Sequence, residues 1–368
     1  MALMIPRRKT LALAGAAATM GSVPAAVATA PSLPQTVSRI CFGSCAHQDK
    51  DQTVWDAVLA AKPDLFVFLG DNIYANTRDI QLMRAKYAQL AAKPGFQKLR
   101  RSVPIVAVWD DHDYGENDAG ADFPMRNPSR DTFLDFWQEP LNSPRRQRDG
   151  IYTSYTLGPP GQRVQIILPD LRSNRTPITA LDTGGLDYSA WAKSRRAAGL
   201  PVPGPYARMT DPKATMLGEP QWAWLQREFE TPADVRIFGS SLQVLADFPG
   251  WESWMVYARD HDRLIDLVRR KQASNMIFLS GDTHYGELSM QDLNTPYPMW
   301  DATSSGLTEV WPTLPPNDRR VGAGVREINF GVADITWRGA DTVVTLQIRD
   351  VNGAVKLQQI ISTRNLTA

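Results

Sequence analysis

The chain has 368 residues, enough for one large domain or two small ones with a substantial core. Its 40 basic and 39 acidic side chains nearly cancel, which leaves no cationic surface to attract nucleic acid or another polyanion. A hydrophobic content of 43% is that of a soluble globule, and argues against a chain built mainly of membrane spans or disordered segments.

Residues 1–30 read as a leader rather than as part of the fold. Pro6-Arg7-Arg8-Lys9-Thr10 precedes an apolar, alanine-rich run to Met20, and small residues follow at Ala28-Thr29-Ala30. A basic start, an apolar centre and a small-residue end describe a secretory signal. The paired arginines point to the twin-arginine route, so the export machinery is an expected partner and the destination is periplasmic or secreted. The apolar run is too short and too rich in alanine to span a bilayer. No later stretch is long and apolar enough either, so no transmembrane anchor is expected.

Arg39-Ile40-Cys41-Phe42-Gly43-Ser44-Cys45 reads as a first strand and its exit loop. Cys41 and Cys45 are the only cysteines, and four residues of extended chain hold them too far apart for a disulfide. Cys41 is expected as a buried strand thiol, and Cys45 as a candidate thiolate ligand beyond the strand end. His47 follows on the same loop, as a metal or phosphate contact or as a solvated side chain. A short helix is expected over residues 53–61, closed by Lys62-Pro63, and a longer amphipathic one over residues 78–92, closed by Lys93-Pro94-Gly95.

Three apolar runs share one pattern. Residues 65–69 end in Gly70-Asp71-Asn72-Ile73-Tyr74, residues 105–108 lead into Asp110-Asp111-His112-Asp113, and residues 276–280 end in Gly281-Asp282-Thr283-His284. Short β-branched and aromatic runs of this kind read as buried strands. In open α/β sheets ligands sit beyond the carboxyl ends of strands, so Asp71, Tyr74, Asp111, His112, Asp282 and His284 are expected at one edge. Carboxylates crowded together repel and raise one another's pKa, and a multivalent cation relieves that repulsion. Oxygen and imidazole donors suit hard or borderline metals.

A loop over residues 114–127 carries Asn117-Asp118, and a helix over residues 131–139 places Phe133, Phe136 and Trp137 in the core. Strands over residues 151–157 and 162–168 flank Gly158-Pro159-Pro160-Gly161, and the second leads into Asp170-Leu171-Arg172-Ser173-Asn174-Arg175. An arginine there either clamps a phosphate bidentately or makes a surface salt bridge. Residues 176–215, rich in glycine, proline and alanine, read as a lid or pocket wall. Then follow a helix over 220–229, a strand over 235–238, and a helix over 260–271 in which His261 is expected to face solvent. Residues 301–330 look loop-rich. The end is all-β, with a hairpin turn at Asn352-Gly353. Strands alternating with helices argue for an α/β sandwich, with no internal repeat and no interdomain linker.

In their order and spacing these motifs resemble the alkaline phosphatase D (PhoD-like) family of metallophosphatases. The resemblance runs from Ile40 to Ile361, through Phe42–Cys45, Gly70–Tyr74, Trp109–Asp113, Asp170–Arg172, Met216–Leu225, Ser280–His284 and Asn329–Gly331. It implies that residues 31–368 form a catalytic domain of two packed β-sheets flanked by helices, without the extra N-terminal β-domain of larger members. It implies an iron(III) site with accompanying calcium. Cys45 and Tyr74 would bind the iron and Asp71 would bridge two metals. Asp111 would stand where related enzymes carry an Asn ligand, and Asn117 at the first of two Asn positions, the second being Asp118 here. Asp282 and His284 would fill a paired-ligand motif, with Asp282 in place of the more usual His, a swap that favours calcium. His112 would act beside the phosphate and Arg172 would hold its oxygens. The expected activity is metal-dependent hydrolysis of small phosphorylated substrates. The alternatives are diester or phospholipid-headgroup cleavage on the same site, and a non-catalytic phosphate or metal binder.

Overall fold

Apolar runs covered on both faces make continuous hydrophobic strands, and this chain uses them as the centres of two sheets. The computed structural model describes residues 31–368 apart from Pro249 and Ala340; the expected leader, residues 1–30, lies outside the described residues. The twelve strands are β1 (Arg39–Gly43), β2 (Leu65–Leu69), β3 (Ile105–Val108), β4 (Thr153–Leu157), β5 (Val164–Leu168), β6 (Val235–Ser240), β7 (Met276–Ser280), β8 (Gly286–Gln291), β9 (Met299–Ser304), β10 (Asn329–Thr336), β11 (Val343–Asp350) and β12 (Val355–Ser362). Every residue of β2, β5, β6 and β7 is buried.

One sheet has the order β12-β11-β10-β1-β2-β3 and the other β4-β5-β6-β7-β9-β8. Within the first, β1, β2 and β3 run parallel and β10, β11 and β12 antiparallel. Within the second, β5, β6, β7 and β9 run parallel, with β4 and β8 antiparallel at the edges. The expected architecture, an α/β fold of two packed sheets flanked by helices, is therefore the one found. The sheets pack closely at Gly239 of β6, where a Cβ would stand 2.9 Å from Leu69 of β2 across the seam and 2.6 Å from Leu168 of the neighbouring β5. Outside the first sheet, Trp55, Phe66, Phe68, Phe96, Phe136 and Trp137 interlock at centroid distances of 5.0–6.4 Å, which seats the helices Val54–Ala60, Pro94–Ser102 and Arg126–Phe136.

The differences from expectation have local causes. Lys93-Pro94-Gly95 ends one helix and starts another, Pro94–Ser102, because proline fits a first helical turn as well as it ends a last one. The helix expected at 131–139 spans Arg126–Phe136. Strands β8 and β9 went unread, and residues 176–215 hold a helix, Tyr188–Ala197. His261 faces inward at 2% exposure, not outward. It shares a stripe with Leu264, Ile265 and Val268 at the i, i+3, i+4, i+7 spacing, and that stripe is buried. The Asn352-Gly353 turn joins β11 and β12 as expected: Gly353 takes φ 81°, and Asp350 accepts the amides of Asn352 and Ala354.

The contact at Gly239 generates a stability test. Gly239→Val inserts three carbons where the sheets already touch and should cost about 1–3 kcal/mol, read as a lower urea midpoint with an unchanged slope.

Candidate active site

The turns that follow the parallel strands all gather at one edge of the sandwich. Ser44 Oγ, after β1, lies 3.2 Å from the Asp282 amide after β7, and Ser241 Oγ, after β6, donates to Asp110 Oδ1 after β3 at 2.7 Å. The chain turns abruptly at these ends. Cys45 (φ 63°), Asp71 (φ 48°), Asp282 (φ 71°) and His284 (φ 61°) are all left-handed without being glycine, a conformation that costs on the order of 1–3 kcal/mol and gathers at functional sites. The glycines before the two aspartates make room for one another's neighbours. A Cβ on Gly70 would come 2.6 Å from Asp110 Cβ, and one on Gly281 would come 2.5 Å from the Leu69 carbonyl.

Ten donor side chains converge. Cys45 Sγ lies 3.3 Å from Asp71 Oδ2, and Tyr74 Oη lies 3.4 Å from the same oxygen and 3.0 Å from His284 Nε2. Cys45, Asp71 and His284 each bring one ligand atom within 4.8 Å of the others, and so do Asp71, Asp110, Asp111 and Asp282. Two further groupings join Asp71, Asp111 and His112, and Asp111, Asp118 and Glu252. Asp71 belongs to three of the four.

The residues fit multivalent cations. Asp71 Oδ1, Asp110 Oδ2 and Asp111 Oδ1 are buried without a hydrogen-bond partner, which is costly for a carboxylate unless something positive meets it. Burial first, then the neighbouring aspartates, push Asp71 and Asp282 well above the usual carboxylate range. Burial opposes ionisation of Asp111 most strongly, but Arg172, His112, the Asp118 amide and Arg175 together outweigh it and hold this carboxyl down to about 2. Burial lowers His284 to about 4, which keeps its imidazole neutral and free to ligate.

Most of the expected residues meet here. Asp111, His112, Asn117, Asp282 and His284 line a cavity of about 320 Å³. Asn117 donates to Asp118 at 2.7 Å, which in turn accepts the hydroxyl of Tyr206. Between the adjacent carboxylates, Asp111 faces the cavity while Asp110 is committed to Arg172 (2.6 Å) and Ser241. His47 stacks on Tyr74 at 4.7 Å and supports that ring from behind.

Arg172 is the exception. It is fully buried and does not line the cavity. Its Nε donates to Asp110, and both terminal nitrogens donate to Glu252 at 2.9 and 3.1 Å. Arg175 pairs with Glu252 too. Both arginines therefore lie within the protein, beneath the carboxylate floor, because acidic side chains from two segments, Asp110-Asp111 and Glu252, already occupy their donors. Glu252 and Tyr206 carry no motif in the sequence and reach the site through loop packing, whereas Asp118 stands beside Asn117 at the second of the two expected Asn positions.

Fold and donor set together define a metallophosphatase-like domain. Residues 40–313 match the PhoD-like phosphatase family, and the chain belongs to that family. Alkaline phosphatase D of Bacillus subtilis (strain 168) is 22% identical over 283 residues, covering 66% of this chain and 45% of that protein, so the chain spans about half the length of this curated relative. A solved structure of PhoD superposes with a TM-score of 0.66 at 16% identity over 91% of this chain and 70% of the other. GAP50, the anchor in the inner membrane complex of Plasmodium, follows at 0.55, 12% identity and 89% of each chain. A dimetal phosphatase from Danio rerio gives 0.50 at 16% identity, over 89% and 99%.

The raised aspartates set the sign of a pH effect. A carboxyl whose pKa is higher folded than unfolded costs stability as pH rises above about 4. Bound cations remove that cost. The gap in melting temperature between metal-loaded and chelator-stripped protein should therefore widen from pH 5 to pH 8. Calorimetry at fixed ionic strength checks it, and a gap that narrows contradicts the fit to cations.

Proposed function

We propose that this chain hydrolyses phosphate esters outside the cytoplasm, with iron(III) and calcium as its metals. One observation carries the reading: a phosphate anion cannot approach a floor of four carboxylates unless cations reverse its charge, and three of them, Asp71, Asp110 and Asp111, have buried oxygens without a hydrogen-bond partner. Cys45, Asp71, Tyr74 and His284 supply the softer and phenolate donors suited to iron. Asp71, Asp111, Asp282 and Asn117 supply the harder oxygens suited to calcium, with Asp71 shared. When bound, such ions polarise the phosphoryl oxygens and supply an activated water.

The chain's own residues do the rest. His112 lies on the cavity wall, with Nδ1 2.7 Å from Asn76 Oδ1 and its ring 4.2 Å from that of Tyr74. An amide oxygen only accepts, so Nδ1 keeps its hydrogen and Nε2 is left to exchange a proton with the leaving alcohol or to bond a phosphoryl oxygen. Arg172 acts from below: by pairing with Asp110 and Glu252 it holds the floor together rather than gripping substrate. Tyr206 from residues 176–215, and Trp311 and Pro315 from residues 301–330, line the cavity. The two segments expected to set the room for a second ester substituent thus form its sides, which bears on monoesters and diesters alike.

A variant series separates these roles. Purified protein should contain iron, with a phenolate-to-iron absorption band that Tyr74→Phe removes. Asp71→Asn should lose metal and activity together. His112→Ala should keep its metal content and lose kcat by about 10²–10⁴-fold. Near-normal turnover of His112→Ala on both a monoester and a diester contradicts its catalytic role. A metal-replete protein that turns over neither ester supports the non-catalytic binder instead.

Export rests on the basic, apolar and small-residue pattern of residues 1–30. Arg7→Lys combined with Arg8→Lys should strand a precursor in the cytoplasm. Normal processing and periplasmic yield of that double variant, read by fractionation and immunoblot, argue against the twin-arginine route.

A further inference from the structure

The cavity is acidic on its floor and aromatic on one side. Trp311 stands beside His284 with ring centroids 6.2 Å apart, and its backbone amide donates to the His284 carbonyl at 2.8 Å. Trp251 meets Trp311 edge to face at 5.8 Å, with planes 69° apart. Tyr188 of the helix Tyr188–Ala197 meets the other side of this row, 5.8 Å from Trp251 at 80°. Both indoles line the cavity, yet Trp311 remains 40% exposed.

The protein holds this row rigidly. Glu252, next to Trp251, pairs with Arg172 and Arg175, which fixes one indole to the floor. The Tyr206 amide donates to the Gly250 carbonyl at 2.9 Å, and the backbones of Gly204 and Gly250 approach so closely that neither position has room for a Cβ. The Tyr188 hydroxyl donates to the Pro203 carbonyl at 2.8 Å. The lid segment is thus latched to the loop that carries Trp251.

We propose that Trp251 and Trp311 form a stacking corner for the alcohol portion of the substrate, and that the preferred substrates are phosphate esters whose alcohol carries a flat aromatic ring close to the phosphorus. Two rings at a steep angle offer a flat guest one face and one edge, the two arrangements aromatic pairs favour. A cavity of about 320 Å³ is at the small end for ligand sites, which suits a phosphate with one ring system and not a long acyl chain. The inference rests on the phosphatase reading and is tested so that the two can fail separately.

Metal-loaded protein is titrated with phenylphosphonate and with methylphosphonate, neither of which is hydrolysed, and kcat and KM are measured for phenyl phosphate, a nucleoside 5′-monophosphate and glycerol phosphate. Phenylphosphonate should bind about tenfold tighter than methylphosphonate. The glycerol-to-aryl ratio in KM should be of similar size, the better phenoxide leaving group acting on kcat instead. Trp311→Ala and Trp251→Ala should collapse both ratios toward one, chiefly through KM, while Trp311→Phe restores most of the preference. The nucleotide arm shows whether the ring is a base or a simple aryl group. Equal binding of the two phosphonates overturns the stacking corner whatever the activity. A phosphonate preference without turnover of any ester keeps the corner and sinks the phosphatase reading. A preference for a choline ester that depends on the same two tryptophans shows a cation cage instead and also overturns the proposal.

Discussion

Asp71, Asp110, Asp111 and Asp282 crowd at the seam between two sheets, each with an oxygen within 4.8 Å of the others. At an effective dielectric near 20, each such pair of charges repels by ~3 kcal/mol or more. Protonation relieves part of this repulsion, as the raised Asp71 and Asp282 show, and positive charge relieves it from two sides. Arg172 lies on the protein side, against Asp110 and Asp111. The cavity side is left for cations, and the unpaired carboxylate oxygens mark where they are needed. The same arrangement that makes the apo site costly makes it a strong binding site.

The arginine layer also joins the two sheets. Asp110 leaves β3 of one sheet, while Arg172 and Ser241 follow β5 and β6 of the other, and the three meet at 2.6 and 2.7 Å. A buried ion pair of this kind adds little net stability over an apolar contact, but removing one partner strands a charge in the interior. Its value here is geometric, since it sets the register of one sheet's ligands against those of the other.

Above the floor, function moves from strands to loops. The sheet edges place the donors rigidly, with four of them strained into left-handed turns. The longer segments, residues 176–215 and 301–330, bring Tyr206, Trp311 and Pro315 to the rim. A scaffold that fixes the chemistry and loops that shape the room around it is a common division of labour, because loops vary without disturbing the core.

Much of this was legible before any coordinates. Alternation of apolar runs with helices, acid-tipped strand ends and Gly-Asp turns are local signals, set by residues a few positions apart, and they located Asp71, Tyr74, Asp111, His112, Asp282 and His284 on one edge. The inward-facing His261 was equally local, since its place in the Leu264, Ile265, Val268 stripe needed only the helical period. Other features had no local trace. Arg172 reads as a phosphate clamp from its position, and only its meeting with Asp110, 62 residues away, and Glu252, 80 residues away, makes it part of the floor. Which of two adjacent aspartates faces the cavity, and which tryptophans form its wall, follow from the same kind of contact. Periodicity and turn chemistry act over neighbouring residues and so are written along the chain. Charge pairing and packing act over a few ångströms of space, and the chain brings those partners together only when both sheets have closed.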